Sequence, residues 1–420
     1  MSTLSQASII AIIGALTADE LAKIRKKDSQ LWKGRQWKSD TIITTASRAQ
    51  GNDNEVKVDS FEWMSIASRV VDFFQLDSTG LEDYLLRVSS LGEWAEVVQT
   101  SREQGSKDIT FSSSGSSGQP KKCSQRWDDL YREAEYFASY LGDNLGDNDA
   151  QIKRVISAVP PHHIYGFIFS VLLPEVMSVP VIRGLKAFTL TQGQRLANGD
   201  LLVGFPGWYR QLAQANVGFP QQAHAVCSSG PVASDVLQQL HQQGLSQIIE
   251  VYGSSETSGL GVRIVRDGWY ELLPRWQRRD LEHVVDISTN DSVAVPDDLE
   301  WRDERHFKPL ARKDHAVQVN GYNVYPKRIA ALMAEHPSIK EARVRLIESD
   351  SDSGLKALIV AEQQALNMPT EALIAQVQSW LAEKLDDAEM PRKFAVSGDV
   401  PVNDMGKEID WELQADLMSR

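Results

Sequence analysis

Cysteine is nearly absent. In 420 residues only Cys123 and Cys227 occur, far apart in the chain. They provide no disulfide framework, so the fold must stand on its core, and a reducing compartment is expected. Membrane-length apolar runs are missing too. The apolar stretch at residues 7–16 is about half as long as a bilayer span. Neither a basic lead nor a small-residue cleavage site accompanies it, so it does not read as a signal peptide. Basic excess is also missing: 44 Lys and Arg against 57 Asp and Glu leave a formal net charge of -13. That argues against broad nucleic-acid binding, which needs a basic surface, but one local basic loop suffices for a nucleotide. There is no internal repeat and no long low-complexity tract. A cytoplasmic enzyme of two or three domains, with no membrane span and no nucleic-acid partner, is the resulting expectation.

What is present centres on residues 112–121, Ser-Ser-Ser-Gly-Ser-Ser-Gly-Gln-Pro-Lys. The strand-like run Asp108-Ile109-Thr110-Phe111 leads in, and a helix-like run follows from Trp127. Gly115 and Gly118 tolerate the positive φ of a tight loop. Backbone N–H groups and the hydroxyls of Ser113, Ser114, Ser116 and Ser117 can wrap phosphate oxygens, with Lys121 and Lys122 adding charge. The plain alternative is a flexible Ser/Gly linker; the strand ahead and Pro-Lys-Lys behind favour a phosphate loop. It is not the Walker pattern, because Lys121 does not follow a glycine and no Ser or Thr follows it.

Residues 1–100 read as a reduced, mostly helical leading region. One helix is expected to about residue 36, with Thr17 and Glu20 spaced as a capping box; two more are expected at 60–74 and 80–98. After the loop come a helix at 127–145 and a strand at 154–159. That strand runs into Pro160-Pro161-His162-His163-Ile164-Tyr165-Gly166. Further strands are expected at 179–182 and 201–204. A strand at 223–228 ends in Ser228-Ser229-Gly230, and one at 247–252 ends in Tyr252-Gly253-Ser254-Ser255-Glu256. Strands separated by helical stretches predict an α/β fold with parallel or mixed sheets flanked by helices and a site at strand carboxyl ends. An antiparallel piece covers 262–310. Arg312-Lys313-Asp314 is a charged break, and residues 312–420 read as a small α+β lid domain beside a large domain of residues 1–311.

The Ser/Gly loop, Tyr252–Glu256, Arg312–Asp314, Gly321 and Pro401–Asp410 together resemble the signature set of the adenylate-forming superfamily, the AMP-binding acyl- and aryl-CoA ligases. The likeness covers about residues 108–410. The compact leading region and the Pro160–Gly166 stretch are similar to small bacterial 4-coumarate–CoA ligase relatives. The resemblance implies that Ser113, Ser114, Gly115, Ser116, Ser117, Gly118 and Lys121 hold ATP phosphates. It implies that Tyr252 and Gly253 meet adenine, Ser255 touches phosphate, and Glu256 holds Mg²⁺. Ser229 and Gly230 flank adenine and acyl pocket. Asp298 aligns with the acid that grips ribose hydroxyls, with Asp297 a rival because Pro296-Asp297 replaces the usual Thr-Gly. Arg312 lies near ribose and phosphate. His163 walls or gates the acyl site, with His162 in support, and Tyr165 and Ser254 shape the pocket. Asp314 matches the hinge about which the lid rotates, and Gly321 the thiol tunnel, although Gln318 and Val319 stand where many relatives carry Lys. Lys407 would reach both the carboxylate and the α-phosphate.

The activity so implied is an ATP-dependent acid–thiol ligase that forms an acyl-AMP and then a thioester. Its expected ligands are ATP, Mg²⁺, coenzyme A and an aryl acid, hydroxycinnamate or hydroxybenzoate. A fatty acid, or a carrier protein as thiol acceptor, is the near alternative. A non-catalytic nucleotide-binding protein of the same fold, and an ATPase with a variant phosphate loop, are the readings from other classes.

Overall fold

The computed structural model describes residues 4–25, 35–45, 54–113, 121–144, 151–264, 268–319, 322–347, 354–401 and 408–411. Ser114, Gly115, Ser116, Ser117, Gly118, Gly321 and Lys407 lie outside the described residues, as does the side chain of Ser113. Two units divide the chain, one of Met1–Ser113 and Lys122–Leu310, the other of Ser114–Lys121 and Ala311–Arg420.

The leading region begins with α1 (Gln6–Arg25), which buries Ile9, Ile12, Ile13, Leu16 and Leu21. The expected cap at Thr17 is corrected. Thr17 is fully buried within this helix, and its hydroxyl donates back to the Ile13 carbonyl at 2.8 Å. Threonine does this inside helices when no free N–H is within reach. Strands β1 (Ile42–Thr45) and β2 (Glu55–Val58) pair in parallel. Capping boxes sit ahead of α2 (Ser60–Phe74) and α3 (Leu91–Glu103), closed by Asp59 with Glu62 and by Ser90 with Glu93. The helix expected over 80–98 is instead a 3₁₀ turn at Glu82–Arg87 followed by α3. Val88 is extended, and the Ser90 cap starts a new helix there.

β3 (Asp108–Ser113) and β4 (Lys121–Arg126) flank the Ser/Gly loop as a two-stranded sheet, and α4 (Trp127–Asn144) follows. Next come β5 (Arg154–Ser157), β6 (Val181–Arg183), β7 (Asp200–Gly204), β8 (His224–Cys227), β9 (Gln247–Ser254), β10 (Ser258–Ile264) and β11 (Tyr270–Leu272). A three-stranded sheet holds β12 (Trp276–Arg278), β13 (His283–Asp286) and β14 (Ser292–Ala294), and β15 (Asp297–Trp301) and β16 (His306–Arg312) complete the first series. One sheet of nine strands runs β15-β16-β11-β10-β9-β8-β7-β5-β6. Strands β6, β5, β7, β8 and β9 are parallel, so their carboxyl ends share one edge. Both faces of β7 and β8 are buried, as parallel strands covered by helices require. Phe73 of α2, Phe111 of β3, Trp127 of α4 and Phe167 pack edge to face at 5.4–6.1 Å. This cluster, by area the kind of contact that dominates cores, sets the strand ahead of the Ser/Gly loop rigidly against the leading region.

Glu133 of α4 is a buried carboxyl with a measurable consequence. Both its oxygens accept from the Gly259 N–H, at 3.0 and 3.2 Å. Burial nonetheless pushes its pKa up to about 7. The folded protein therefore holds this proton across a range where the unfolded chain has lost it. The associated stability is present below about pH 4.5 and is lost as pH rises through about 7. Glu133→Gln should leave the thermal midpoint near wild type at pH 5 and raise it at pH 8, in a paired pH series of melting curves. A constant offset across the series would show that Glu133 does not titrate with folding.

The second unit has its own core around Val324, Ile329, Leu355, Ile359, Val377 and Leu381. Its strands are β17 (Val317–Val319) and β18 (Tyr322–Val324), which pair antiparallel, and β19 (Ile339–Leu346), β20 (Leu355–Ala361) and β21 (Lys393–Ser397), which form a separate sheet. Helices Pro326–Met333 and Thr370–Ala382 cover it. Among the described residues no helix is long and apolar enough to cross a membrane.

Candidate active site

Among the connections that leave the shared edge of the parallel strands are 158–163 after β5, 228–233 after β8 and 255–257 after β9. They carry His163, Ser229 and Gly230, and Ser255 and Glu256.

After β5 the chain turns into a helix that begins at Ile164. A Cβ on Gly166 would lie 1.9 Å from the Pro160 carbonyl oxygen, so only glycine lets the helix start this close to the preceding turn. The Tyr165 hydroxyl is within hydrogen-bond distance of the Val226 carbonyl (2.8 Å) and the Gly204 carbonyl (3.0 Å), at the ends of β8 and β7. Tyr209 comes to the same Val226 oxygen at 2.7 Å. Burial raises both phenol pKa values well above their usual range, so both remain O–H donors. The rings of His162 and His163 lie 4.6 Å apart. Burial lowers the pKa of each, that of His162 to about 3, against the opposing pull of Asp19. Both imidazoles are therefore neutral near pH 7, and neither supplies a cation to a bound carboxylate. Asp19 comes from α1 and is itself paired with Arg69 at 3.1 Å, so the leading region supports this strand end.

After β8, Ser229 takes the left-handed conformation with φ 65°. The following Val232 N–H donates to Glu250 Oε1 at 2.8 Å. Glu250 of β9 lies opposite Arg263 of β10 in register, and the guanidinium donates to it at 2.8 Å. The Tyr270 hydroxyl donates to the same carboxylate at 3.2 Å. A buried acid on the strand thus ties down the loop that follows its neighbour.

β9 and β10 form a tight antiparallel pair around Ser255-Glu256-Thr257. A Cβ on Gly253 would sit 2.1 Å from the Ser258 carbonyl oxygen, which accounts for glycine there. Ser254 and Thr257 close the turn reciprocally, Ser254 N–H to Thr257 Oγ1 at 3.1 Å and Thr257 N–H to Ser254 Oγ at 3.2 Å. Gln125 of β4 reaches the same turn and donates to the carbonyls of Ser255 (2.7 Å) and Glu256 (2.9 Å). Glu256 is half-buried. Among the described residues no group of three or more His, Cys, Asp or Glu is arranged to hold a metal. One carboxylate suffices for Mg²⁺ all the same, since this ion usually takes one or two carboxylates together with phosphate oxygens and water.

Tyr252 packs against Phe307 at 5.4 Å, and its hydroxyl donates to Asp297 Oδ2 at 2.6 Å. Side chains alternate along β15, so Asp297 shares a face with buried Leu299 while Asp298 is exposed on the other. The acid that the fold brings to Tyr252 is therefore Asp297. In the second unit Arg312 grips Asp314 through two hydrogen bonds of 2.8 and 2.6 Å, and Tyr325 donates to Asp314 at 3.2 Å. Burial raises the Asp314 pKa, but the Arg312 contacts, with the Ala316 N–H and the Tyr325 hydroxyl, outweigh it and hold the carboxyl below its usual range. Lys121 is exposed at the start of β4. Gln125, Glu133 and Glu250 had no sequence signal, because their partners lie on other elements.

No family model matches the chain. In fold it is similar to an o-succinylbenzoate CoA synthetase from Bacillus subtilis, with a TM-score of 0.54 at 17% identity, covering 97% of this chain and 92% of that one. It is also similar to an amide bond synthetase from Marinactinospora thermotolerans, with a TM-score of 0.57 at 13% identity, covering 94% and 92%. These likenesses establish the two-domain fold of adenylate-forming enzymes. In sequence it is 34% identical over 356 residues to a 4-coumarate–CoA ligase of Halorhodospira halophila, covering 84% of this chain and 88% of the relative. Another, from Cereibacter sphaeroides, is 30% identical over 366 residues, 86% of this chain and 85% of the relative. The chain belongs to the family of AMP-forming acyl- and aryl-CoA ligases, and is an AMP-forming acid–thiol ligase.

Proposed function

We propose that the acid is an aryl carboxylic acid of the hydroxycinnamate or hydroxybenzoate type and that the thiol acceptor is coenzyme A. The reading rests above all on the relatives named 4-coumarate–CoA ligase, matched over most of the chain. An aromatic lining at the strand edge supports it: with its hydroxyl engaged on backbone carbonyls, Tyr165 has only its ring left to meet a substrate.

In the first half-reaction a carboxylate oxygen of the acid attacks the α-phosphorus of ATP. The bond to the β-phosphate oxygen breaks and pyrophosphate leaves. Both reactants are anions, so the protein's task is positioning and charge neutralisation. Ser113 to Gly118 and Lys121 hold the phosphates. Tyr252 and Gly253 meet the adenine, with Ser229 and Gly230 between base and acyl group, and Ser255 contacts phosphate. Asp298, exposed on β15, accepts from the ribose hydroxyls, with Asp297, which already accepts from Tyr252, as its rival. Arg312 approaches ribose and phosphate, and Lys407 spans the reacting oxygens. Mg²⁺ held by Glu256 would neutralise phosphate oxygens. His163, neutral, walls the acyl pocket beside Ser254. In the second half-reaction the thiol sulfur bonds to the acyl carbon, AMP leaves with the C–O bond pair, and the thiol proton passes to solvent. Asp314 is the pivot of the second unit between these steps, and Gly321 lines the path of the thiol.

The test is acid-dependent exchange of labelled pyrophosphate into ATP, over 4-coumarate, hydroxybenzoates and fatty acids. Exchange with the aryl acids at least tenfold above that with fatty acids is expected. The reverse order would overturn the aryl reading and leave the ligase class intact.

A further inference from the structure

Gln125 is 5% exposed and lies on β4, the strand that leaves the Ser/Gly loop. Its side-chain nitrogen donates to two successive carbonyls on a distant strand end, Ser255 at 2.7 Å and Glu256 at 2.9 Å. A primary amide carries two N–H bonds on one nitrogen, so one side chain satisfies both acceptors. Asparagine is a methylene too short, and glutamate in its ionised form would set negative oxygens against carbonyl oxygens. The same segment is held from α4 as well, where the Glu133 carboxyl accepts from the Gly259 N–H. β4 and α4, the two elements that follow the Ser/Gly loop, thus grip the 255–259 segment at both of its ends.

We infer that Gln125 is a positioning residue for Glu256, tying the acidic turn to β4 and so fixing where its carboxylate stands. The inference rests on the reading of Glu256 as the Mg²⁺-holding carboxylate. The physical reason for such a tie is the steep geometric demand of the reaction. A misplacement of about 1 Å at a reacting centre costs on the order of 10²-fold in rate. The turn's own Ser254–Thr257 bonds close it internally, but they do not fix its distance from β4.

The test compares Gln125→Met, Gln125→Glu and Glu256→Gln with wild type in the full-length chain. Two readouts are taken: hydrogen–deuterium exchange of residues 254–260, and pyrophosphate exchange as a function of Mg²⁺ and of acid. Gln125→Met, similar in length but without donors, should speed amide exchange in 254–260 about tenfold or more and leave β7 and β8 as protected as before. It should lower the pyrophosphate-exchange rate by about 10²-fold and raise the Mg²⁺ concentration for half-maximal rate, with KM for the acid within about twofold of wild type. Gln125→Glu should do the same or worse, and provides the answer if Gln125→Met does not fold. Unchanged protection in 254–260, or an unchanged Mg²⁺ dependence where Glu256→Gln does shift it, would overturn the inference. A Glu256→Gln variant whose Mg²⁺ dependence equals wild type would instead overturn the reading of Glu256 on which it rests.

Discussion

Lys407→Ala is expected to lower acid-dependent pyrophosphate exchange by about 10²–10³-fold, the usual loss when one preorganised electrostatic contact to a charged transition state is removed. The reasoning follows from the charges. Carboxylate and triphosphate repel, and the two histidines proposed for the acyl site are neutral, His162 with a pKa of about 3. On the proposed reading the offsetting positive charge comes from Mg²⁺, Lys121, Arg312 and the Lys after Gly406, and only the last spans both reacting oxygens. Thiolysis is different: sulfur attacks an acyl carbon, AMP takes the C–O bond pair as a stable leaving group, and no carboxylate has to be brought against a triphosphate. Supplied acyl-AMP should therefore be consumed by coenzyme A at close to the wild-type rate. Single-turnover assays of the two half-reactions separate the cases. Equal losses in both would show that Lys407 acts generally on AMP binding and not on adenylation.

The second large effect is on stability. Glu250→Ala should destabilise the large unit by about 3–5 kcal/mol, the range for removing one partner of a buried ion pair. Glu250 is 1% exposed and Arg263 13%. Without the acid, Arg263 keeps its cation–π contact with Tyr270 at 4.3 Å but loses its counter-charge. The Val232 N–H loses its acceptor in the same stroke. Against a typical total of about 5–15 kcal/mol, this is a large fraction. A drop in the urea midpoint of the large unit is the readout. Replacing Glu250 and Arg263 together by methionine should recover much of it, because no buried charge is then left unpaired. A Glu250→Ala midpoint equal to wild type would mean that solvent reaches Arg263. Because Glu250 also anchors the segment after Ser229 and Gly230, nucleotide affinity should fall in the single variant before unfolding begins.

The fold class and the order of its parts were legible in the chain because they rest on local rules. Apolar runs between amphipathic stretches write a parallel sheet with covering helices, and the small residues at 228–230 and 253–255 mark places where a backbone must bend sharply or approach another closely. Gly166 and Gly253 illustrate this, since each is required by a carbonyl oxygen about 2 Å from where a Cβ would be. Local signals also misled. Thr17 and Glu20 have the spacing of a cap but lie within a helix, because apolar burial of Ile12, Ile13 and Leu16 carries α1 through them.

Only the tertiary structure decided which side chains meet. Asp297 and Asp298 are neighbours in sequence, and a strand's two-residue period puts Asp297 beside Tyr252 and Asp298 in solvent. Gln125 is separated from Ser255 by 130 residues, and Val232 from Glu250 by 18, with no pattern linking either pair. Sequence by itself determined where the chain turns, which stretches are buried and which chemistry its loops can hold, since these depend on a few neighbouring residues. The frame that holds those loops in register depends on long-range packing and burial, which exist only once the sheet has formed.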